Sequence, residues 1–201
     1  MNATLAQRAL PTSNATVRNI LLAVAGSLLV AAAAQINVPF WPVPMTMQTL
    51  AVLLVGGAYG ARLGAATLVL YIAEGAVGLP FFRGGKRFLT DDSLTTWFPS
   101  SSFGYLLGFI IAAALVGYLL QKGWINSFAR SIAAAFLGGA VLYVPGLVWL
   151  AIWFAVTKGM DANSATAASL QYGLIPFIPA DILKAAVAGL GLAGLWQGIN
   201  R

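Results

Sequence analysis

The sequence contains neither cysteine nor histidine, and only 8% of its 201 residues are charged. Without these two residue types the chain has no disulfide, no thiol nucleophile, no imidazole base and no thiolate or imidazole metal site. The common catalytic triads are excluded for the same reason. A soluble domain carries about 25% charged residues, whereas this chain is 60% hydrophobic with a mean hydropathy of +0.86. The composition therefore predicts an integral membrane protein of one domain.

The net charge of +6 does not come from a nucleic-acid-binding patch. The basic residues are scattered at the ends of apolar segments, which is typical of topology signals, and no basic patch with interleaved aromatics exists. Residues 1–17 are polar and precede an apolar segment that is too long for a signal peptide and lacks a cleavage site. We therefore expect a short tail over 1–17 and a single membrane domain over 18–201.

Apolar segments recur six times along the chain and predict an all-α bundle of six transmembrane helices. A Tyr143-Val-Pro-Gly sequence predicts a kink in the fifth segment. Two connectors stand out: a long loop over 81–101 that mixes charges and aromatics, and a polar connector over 157–172. The approximate bounds of the six segments are 18–36, 46–59, 63–80, 103–120, 132–156 and 175–196.

Two charged residues, Asp181 and Lys184, lie inside the last apolar segment. Because they are three positions apart, they share one face of a helix and can meet. A charge at this depth costs at least ~2.5–3.5 kcal/mol, so such residues usually face a cavity or a partner. Two interpretations stay open: an ion pair that only fixes helix packing, or the polar corner of a ligand pocket.

Other polar residues fall at a similar depth. Thr46 and Gln48 open the second segment and are expected either to cap the helix or to bind a ligand. Glu74 lies in the third segment, three residues after Tyr71, where a carboxylate needs a partner or water. Trp41 lies in a proline-rich turn and is expected in an interfacial belt or at a pocket.

The distribution of basic residues predicts that both termini lie in the cytoplasm. With six spans, six Lys and Arg residues fall on the side of the termini and four on the other side. The positive-inside rule places the richer side in the cytoplasm. The turn, the long loop and the start of the last helix then lie outside, so the polar residues converge at the outer end. This convergence favours the ligand pocket.

The first segment carries small residues at four-residue spacing, Ala23, Ser27 and Ala31. Small residues at this spacing allow another helix to approach closely within a membrane. The spacing fits either packing inside the bundle or docking onto another membrane subunit, and the sequence does not separate the two.

Three motifs, in order along the chain, resemble the BioY family, the biotin-binding S components of energy-coupling factor (ECF) vitamin transporters. They are PVPMTMQTLAVLL from Pro42, YIAEGAVGLPF from Tyr71 and FIPADILK from Phe177. The resemblance extends from about residue 18 to the end. It differs in the loop after the second motif, where the family carries a glycine-rich stretch. This chain keeps the glycine pair after Arg83 but continues with charged and aromatic residues.

The resemblance implies a six-helix protein of the cytoplasmic membrane that captures biotin from outside and has no enzymatic activity or cofactor of its own. It also implies partners, namely a transmembrane coupling subunit and two ATP-binding-cassette ATPases. The chain has no GxxxxGK[ST] phosphate loop, so we expect ATP hydrolysis by a partner. The small-residue face of the first helix resembles the surface that such components present to the coupling subunit.

Biotin suits the polar residues, since its ureido ring offers two N–H donors and one carbonyl acceptor. We expect Asp181 to accept from the ring nitrogens and Lys184 to donate to a ligand oxygen. The tail carboxylate is then drawn to Lys184 or Lys86, and Trp41 and Tyr71 flank the ring. Few polar groups in an apolar cavity are typical of a small-ligand site.

Three other hypotheses remain. The chain is an S component for another small vitamin or precursor, a purely structural membrane subunit, or an intramembrane enzyme with Glu74 and Asp181 as acid and base. No nucleophile or metal site marks the enzyme hypothesis.

Overall fold

The structure, a computed structural model, describes residues 4–9, 14–85 and 100–199 and is mainly helical. Three short 3-10 turns, at Arg83–Gly85, Trp124–Asn126 and Ile175–Phe177, punctuate the described helices. The helices, in chain order, are α1 (Leu5–Ala9), α2 (Ala15–Gln35), α3 (Gln48–Tyr59), α4 (Ala61–Ala76), α5 (Phe103–Gln121), α6 (Phe128–Val141), α7 (Tyr143–Lys158), α8 (Ala162–Gly173) and α9 (Ile178–Ile199).

Four stretches of the described chain are long and apolar enough to cross a membrane: α2, α5, α6 with α7, and α8 with α9. The shorter α3 is also apolar, and α4 follows it after a single glycine. The prediction of a mainly helical membrane protein is confirmed.

Helix α2 begins at a cap that the sequence encodes. The side chain of Asn14 accepts hydrogen bonds from the backbone N–H groups of Thr16 and Val17 at 3.1 and 3.2 Å. Asparagine is a preferred N-cap because its oxygen satisfies N–H groups that have no partner in the helix. The described part of the predicted tail also contains α1, whose Leu5 and Ala6 are buried against the bundle.

A small hairpin follows α2 and was not predicted. Strands β1 (Asn37–Val38) and β2 (Met45–Thr46) pair antiparallel, with Asn37 opposite Thr46. The proline-rich turn between them reverses the chain, so Thr46 lies beside the end of α2 and directly before α3.

Glycines bring α3, α4 and α5 into close contact. A Cβ at Gly56 of α3 would lie 2.5 Å from the carbonyl oxygen of Ala113 in α5, and one at Gly64 of α4 would lie 2.9 Å from the Gly56 Cα. Within a bilayer, van der Waals packing of such small residues drives helix association. These contacts fix the three helices that surround one side of the site.

The fifth apolar segment is broken at Leu142, where α6 ends and α7 begins. This agrees with the kink predicted at Tyr143–Gly146. The break places Leu142 and Tyr143 at the wall of the cavity described below.

The prediction of a polar connector over 157–172 is wrong. Lys158 ends α7, and most of the remaining segment is α8, which packs on α7. Asp161 caps α8 by accepting from the backbone N–H groups of Asn163 and Ser164 at 3.0 and 3.1 Å. Hydrogen bonds from Ser164 lower the pKa of Asp161 below its ordinary value. The helix was missed because its asparagine, serine, threonine and glutamine residues lower its mean hydropathy, although Ala165 and Ala168 form a buried face.

Candidate functional site

A cavity of about 110 Å³ lies where several helix ends meet. Its walls come from the proline-rich turn, the start of α3, the middle of α4, the start of α5, the break between α6 and α7, and the start of α9. The polar lining residues are Thr46, Gln48, Thr49, Tyr71, Arg83, Ser100, Ser101, Ser102, Tyr105, Tyr143, Asp181 and Lys184. Prolines, Val43, Leu106, Leu142 and the rings of Phe82, Phe103, Phe109 and Phe177 complete the apolar walls.

Asp181 and Lys184 meet at this cavity, as their spacing predicts. Lys184 Nζ lies 2.8 Å from Asp181 Oδ1 and also donates to the backbone carbonyl of Thr46 at 2.8 Å. The side chains are only 8% and 11% exposed for Lys184 and Asp181, respectively. A buried pair needs further hydrogen bonds to offset its desolvation, and the Thr46 carbonyl supplies one. The hairpin and α9 are thus joined at the cavity.

The second oxygen of Asp181 is held by a residue that the sequence did not assign to the site. The Tyr143 hydroxyl donates to Asp181 Oδ2 at 2.5 Å. The adjacent Tyr105 donates to the carbonyl oxygen of Gly173 at 2.8 Å. A usable sequence signal exists for Tyr105, which stands near the start of the fourth apolar segment, at the level predicted for the pocket. Tyr143 lies in the middle of the fifth apolar segment and gave no such signal.

Gln48 and Tyr71 form a second polar cluster in the wall. Gln48 Nε2 donates to the Tyr71 hydroxyl at 2.7 Å, and this hydroxyl donates to the Phe81 carbonyl at 3.3 Å. Thr46 Oγ1 donates to Gln48 Oε1 at 3.2 Å and accepts from the Gln48 backbone N–H at the same distance. The predicted residues Thr46, Gln48 and Tyr71 therefore do line one cavity with Asp181 and Lys184.

Arg83 adds a positive charge to the cavity wall, in the 3-10 turn after α4. Within the described residues it makes no ion pair. Because Asp181 and Lys184 balance each other, the described lining carries one surplus positive charge. This favours a ligand with a negative group.

Glu74, Trp41 and Lys86 are not among the described cavity residues. Glu74 lies one turn beyond Tyr71, and its buried Oε2 has no hydrogen-bond partner in the described part of the chain. Trp41 is 61% exposed and packs against Phe154 and Tyr172 instead. Pro42 lines the cavity in place of Trp41, so the expected contact of Trp41 with a ligand stays a prediction. Lys86 falls outside the described residues.

The small-residue face of α2 points into the bundle. Ser27 is fully buried, Ala31 is 7% exposed and Ala23 is half-buried. The docking expectation is therefore corrected for Ser27 and Ala31, which are covered by the chain itself. A Cβ at the neighbouring Gly26 would lie 2.7 Å from the Thr67 side chain of α4, so this face serves close internal packing.

The site has the chemistry of a binding pocket. Donors and acceptors lie side by side within aromatic and aliphatic walls, an arrangement that orients a small polar ligand. Among the residues that the structure describes, no group of three His, Cys, Asp or Glu side chains is placed to hold a metal ion.

The chain is similar to a family of known proteins along nearly its whole length. The model of the BioY family matches residues 6–201. The "Biotin transporter BioY" of Rhizobium etli is 34% identical over 162 residues, covering 77% of this chain and 79% of the relative. The protein of the same name from Thermotoga maritima is 30% identical over 177 residues, with coverages of 87% and 93%.

The fold is also similar to a solved structure, described as the S-component for biotin from an ECF-type ABC transporter. The TM-score is 0.70, and the match covers 92% of this chain and 94% of that chain. At 22% sequence identity this likeness supports the fold alone.

Proposed function

This chain belongs to the BioY family, and we propose that it captures biotin as the substrate-specific S component of an ECF transporter. The relatives are named as biotin transporters. The cavity supplies the groups that such a ligand needs. The observation that carries the proposal is the buried pair of Asp181 and Lys184, held together in the wall of the cavity.

The cluster keeps free hydrogen-bonding capacity after its internal contacts are counted. Lys184 has three N–H donors, and two of them point to Asp181 and Thr46. Each Asp181 oxygen has about two lone pairs and accepts one bond from the protein, from Lys184 or Tyr143. One donor and two acceptors remain. A cyclic urea presents the complementary set, one carbonyl oxygen and two N–H groups.

The negative tail of biotin suits the surplus positive charge. Arg83 lines the same cavity and has no ion pair with any described residue. We therefore assign the tail carboxylate to Arg83, with Lys86 as the further cation that the sequence suggests. With the ureido ring at α9 and the tail towards Arg83, the ligand lies across the cavity.

The membrane arrangement that we propose has six spans: α2, α3, α4, α5, α6 with α7, and α8 with α9. Both termini lie in the cytoplasm, as the excess of Lys and Arg on their side suggests. The chain is then a multi-pass protein of the cytoplasmic membrane, and the cavity opens towards the outside.

Energy for uptake comes from partner proteins in this proposal. The chain carries no phosphate-binding loop of the GxxxxGK[ST] type. A transmembrane coupling subunit and ABC-type ATPases, the partners that the family resemblance implies, supply it. The chain itself acts as a binding and transport subunit and not as an enzyme.

Binding of biotin to the purified protein in detergent tests the proposal directly. Isothermal titration calorimetry with biotin is expected to show one site, and thiamine and riboflavin are expected to give no heat. Binding of another vitamin in place of biotin would keep the S-component class and reject the ligand. Binding of none of them would favour the structural-subunit hypothesis.

A further inference from the structure

Tyr143 stands at the point where the fifth apolar segment changes direction. It is the first residue of α7, directly after the break at Leu142, and it lines the cavity. Its hydroxyl donates to Asp181 Oδ2 at 2.5 Å, while Lys184 holds Oδ1 at 2.8 Å. The carboxylate is therefore held from two helices, with a different donor on each oxygen.

The ring of Tyr143 is itself held in place. Tyr105 meets it edge to face, with ring centroids 6.0 Å apart and an interplanar angle of 87°. The Tyr105 hydroxyl donates to the carbonyl of Gly173. Glycines leave room for Tyr105 on two sides, since a Cβ at Gly173 would lie 2.5 Å from its hydroxyl oxygen and one at Gly146 would lie 2.6 Å from its ring. A continuous series of contacts thus runs from α8 through Tyr105 of α5 and Tyr143 of α7 to Asp181.

An aspartate side chain needs such supporting contacts if its carboxylate is to keep one orientation towards a rigid ligand. The last torsion angle of aspartate has a broad distribution. The bond from Lys184, a neighbour on the same helix, leaves rotation about that contact. A second donor from α7 removes this freedom before the ligand arrives, and preorganisation of this kind raises affinity by reducing the ordering cost of binding.

We propose that Tyr143 is a positioning residue for ligand binding, which orients the Asp181 carboxylate so that its free lone pairs face the cavity. This inference rests on the proposed function, because it takes Asp181 as the acceptor for the ureido N–H groups. Tyr143 acts through Asp181 and not through the negative tail of the ligand.

The experiment compares Tyr143→Phe with Tyr118→Phe, each measured by calorimetric titration with biotin and with biotin methyl ester. Tyr118 is a matched control, since it is 46% exposed on α5 and lies outside the cavity. Tyr143→Phe is expected to weaken the binding of both ligands by the same factor, about tenfold or more. Tyr118→Phe is expected to leave both affinities unchanged. A loss of affinity for biotin alone would mean that Tyr143 acts on the tail carboxylate. An unchanged affinity for both ligands would mean that Tyr143 does not position Asp181 for binding.

Two further arms separate positioning from a structural role. In an Asp181→Ala background, Tyr143→Phe is expected to weaken biotin binding by less than about a further twofold. If the two residues acted independently, Tyr143→Phe would weaken binding by its full factor in this background as well. Replacing Tyr143 with 4-aminophenylalanine, which keeps a donor at the same position, is expected to restore affinity, whereas 4-methylphenylalanine is not. A full Tyr143→Phe effect in Asp181→Ala, or equal results for the two synthetic residues, overturns the inference. A wild-type chain that fails to bind biotin overturns the proposed function instead.

Discussion

Gln48 Nε2 lies 2.7 Å from the Tyr71 hydroxyl, a contact that joins α3 and α4 inside the bundle. Tyr71 is fully buried and Gln48 is 6% exposed. The same hydroxyl donates to the carbonyl of Phe81 and so ties the segment after α4 to the cavity wall. The two side chains organise the wall whether or not they also touch the ligand.

Removal of the Tyr71 hydroxyl is expected to destabilise the protein. Tyr71→Phe leaves the Gln48 amide buried without its acceptor, at a cost of about 1–3 kcal/mol. Thermal unfolding in detergent without ligand measures the change, with Tyr118→Phe as the control at an exposed tyrosine. Equal unfolding temperatures for the two variants would show that the contact contributes nothing.

The glycine contact between α3 and α5 is expected to be intolerant of even one methyl group. Gly56→Ala brings a Cβ against the backbone of Ala113 and should cost about 1–3 kcal/mol through overpacking. Gly194→Ala in α9 is the matched control, because a Cβ there meets nothing within 4 Å. The yield of monodisperse protein and its unfolding temperature report the difference. Similar behaviour of the two variants would contradict the close approach.

Much of the site follows from local sequence, and the rest depends on how the helices are rotated. The meeting of Asp181 and Lys184 was predictable because their spacing alone places them on one helical face. The level of Gln48 followed from counting spans. The partnership of Tyr143 with Asp181 did not, since it depends on the break at Leu142. The two alternatives for Trp41 could not be separated, because the sequence of a turn does not determine which of its residues faces the cavity.

The proposed topology can be checked with single cysteines, because the chain has none of its own. Asn163→Cys at the start of α8 is expected to react with a membrane-impermeant maleimide in whole cells. Ala129→Cys at the start of α6 is expected to react only after the cells are opened. Both native side chains are exposed, so accessibility within the protein is matched. The reverse pattern would invert the orientation and place the cavity towards the cytoplasm.

Arg83 is expected to distinguish the acid from its ester. Arg83→Gln should weaken the binding of biotin by about fivefold, which corresponds to the loss of one partly exposed ion pair. The affinity for biotin methyl ester should stay unchanged. Arg62→Gln controls for the loss of one positive charge, since Arg62 is exposed and outside the cavity. Calorimetric titration of both ligands measures the effect. An equal loss for acid and ester would mean that Arg83 does not meet the carboxylate.

The role of the central pair is tested most directly by the affinity of the purified protein for biotin after the charge of Asp181 or of Lys184 is removed. Asp181→Asn and Lys184→Ala are each expected to weaken binding by more than ~1.4 kcal/mol, a tenfold change. Asp161→Asn and Lys122→Ala repeat the same substitutions at exposed positions and are expected to bind as the unmodified chain does. If both pair variants bind biotin as tightly as these controls, Asp181 and Lys184 only neutralise each other, and the ligand site lies elsewhere.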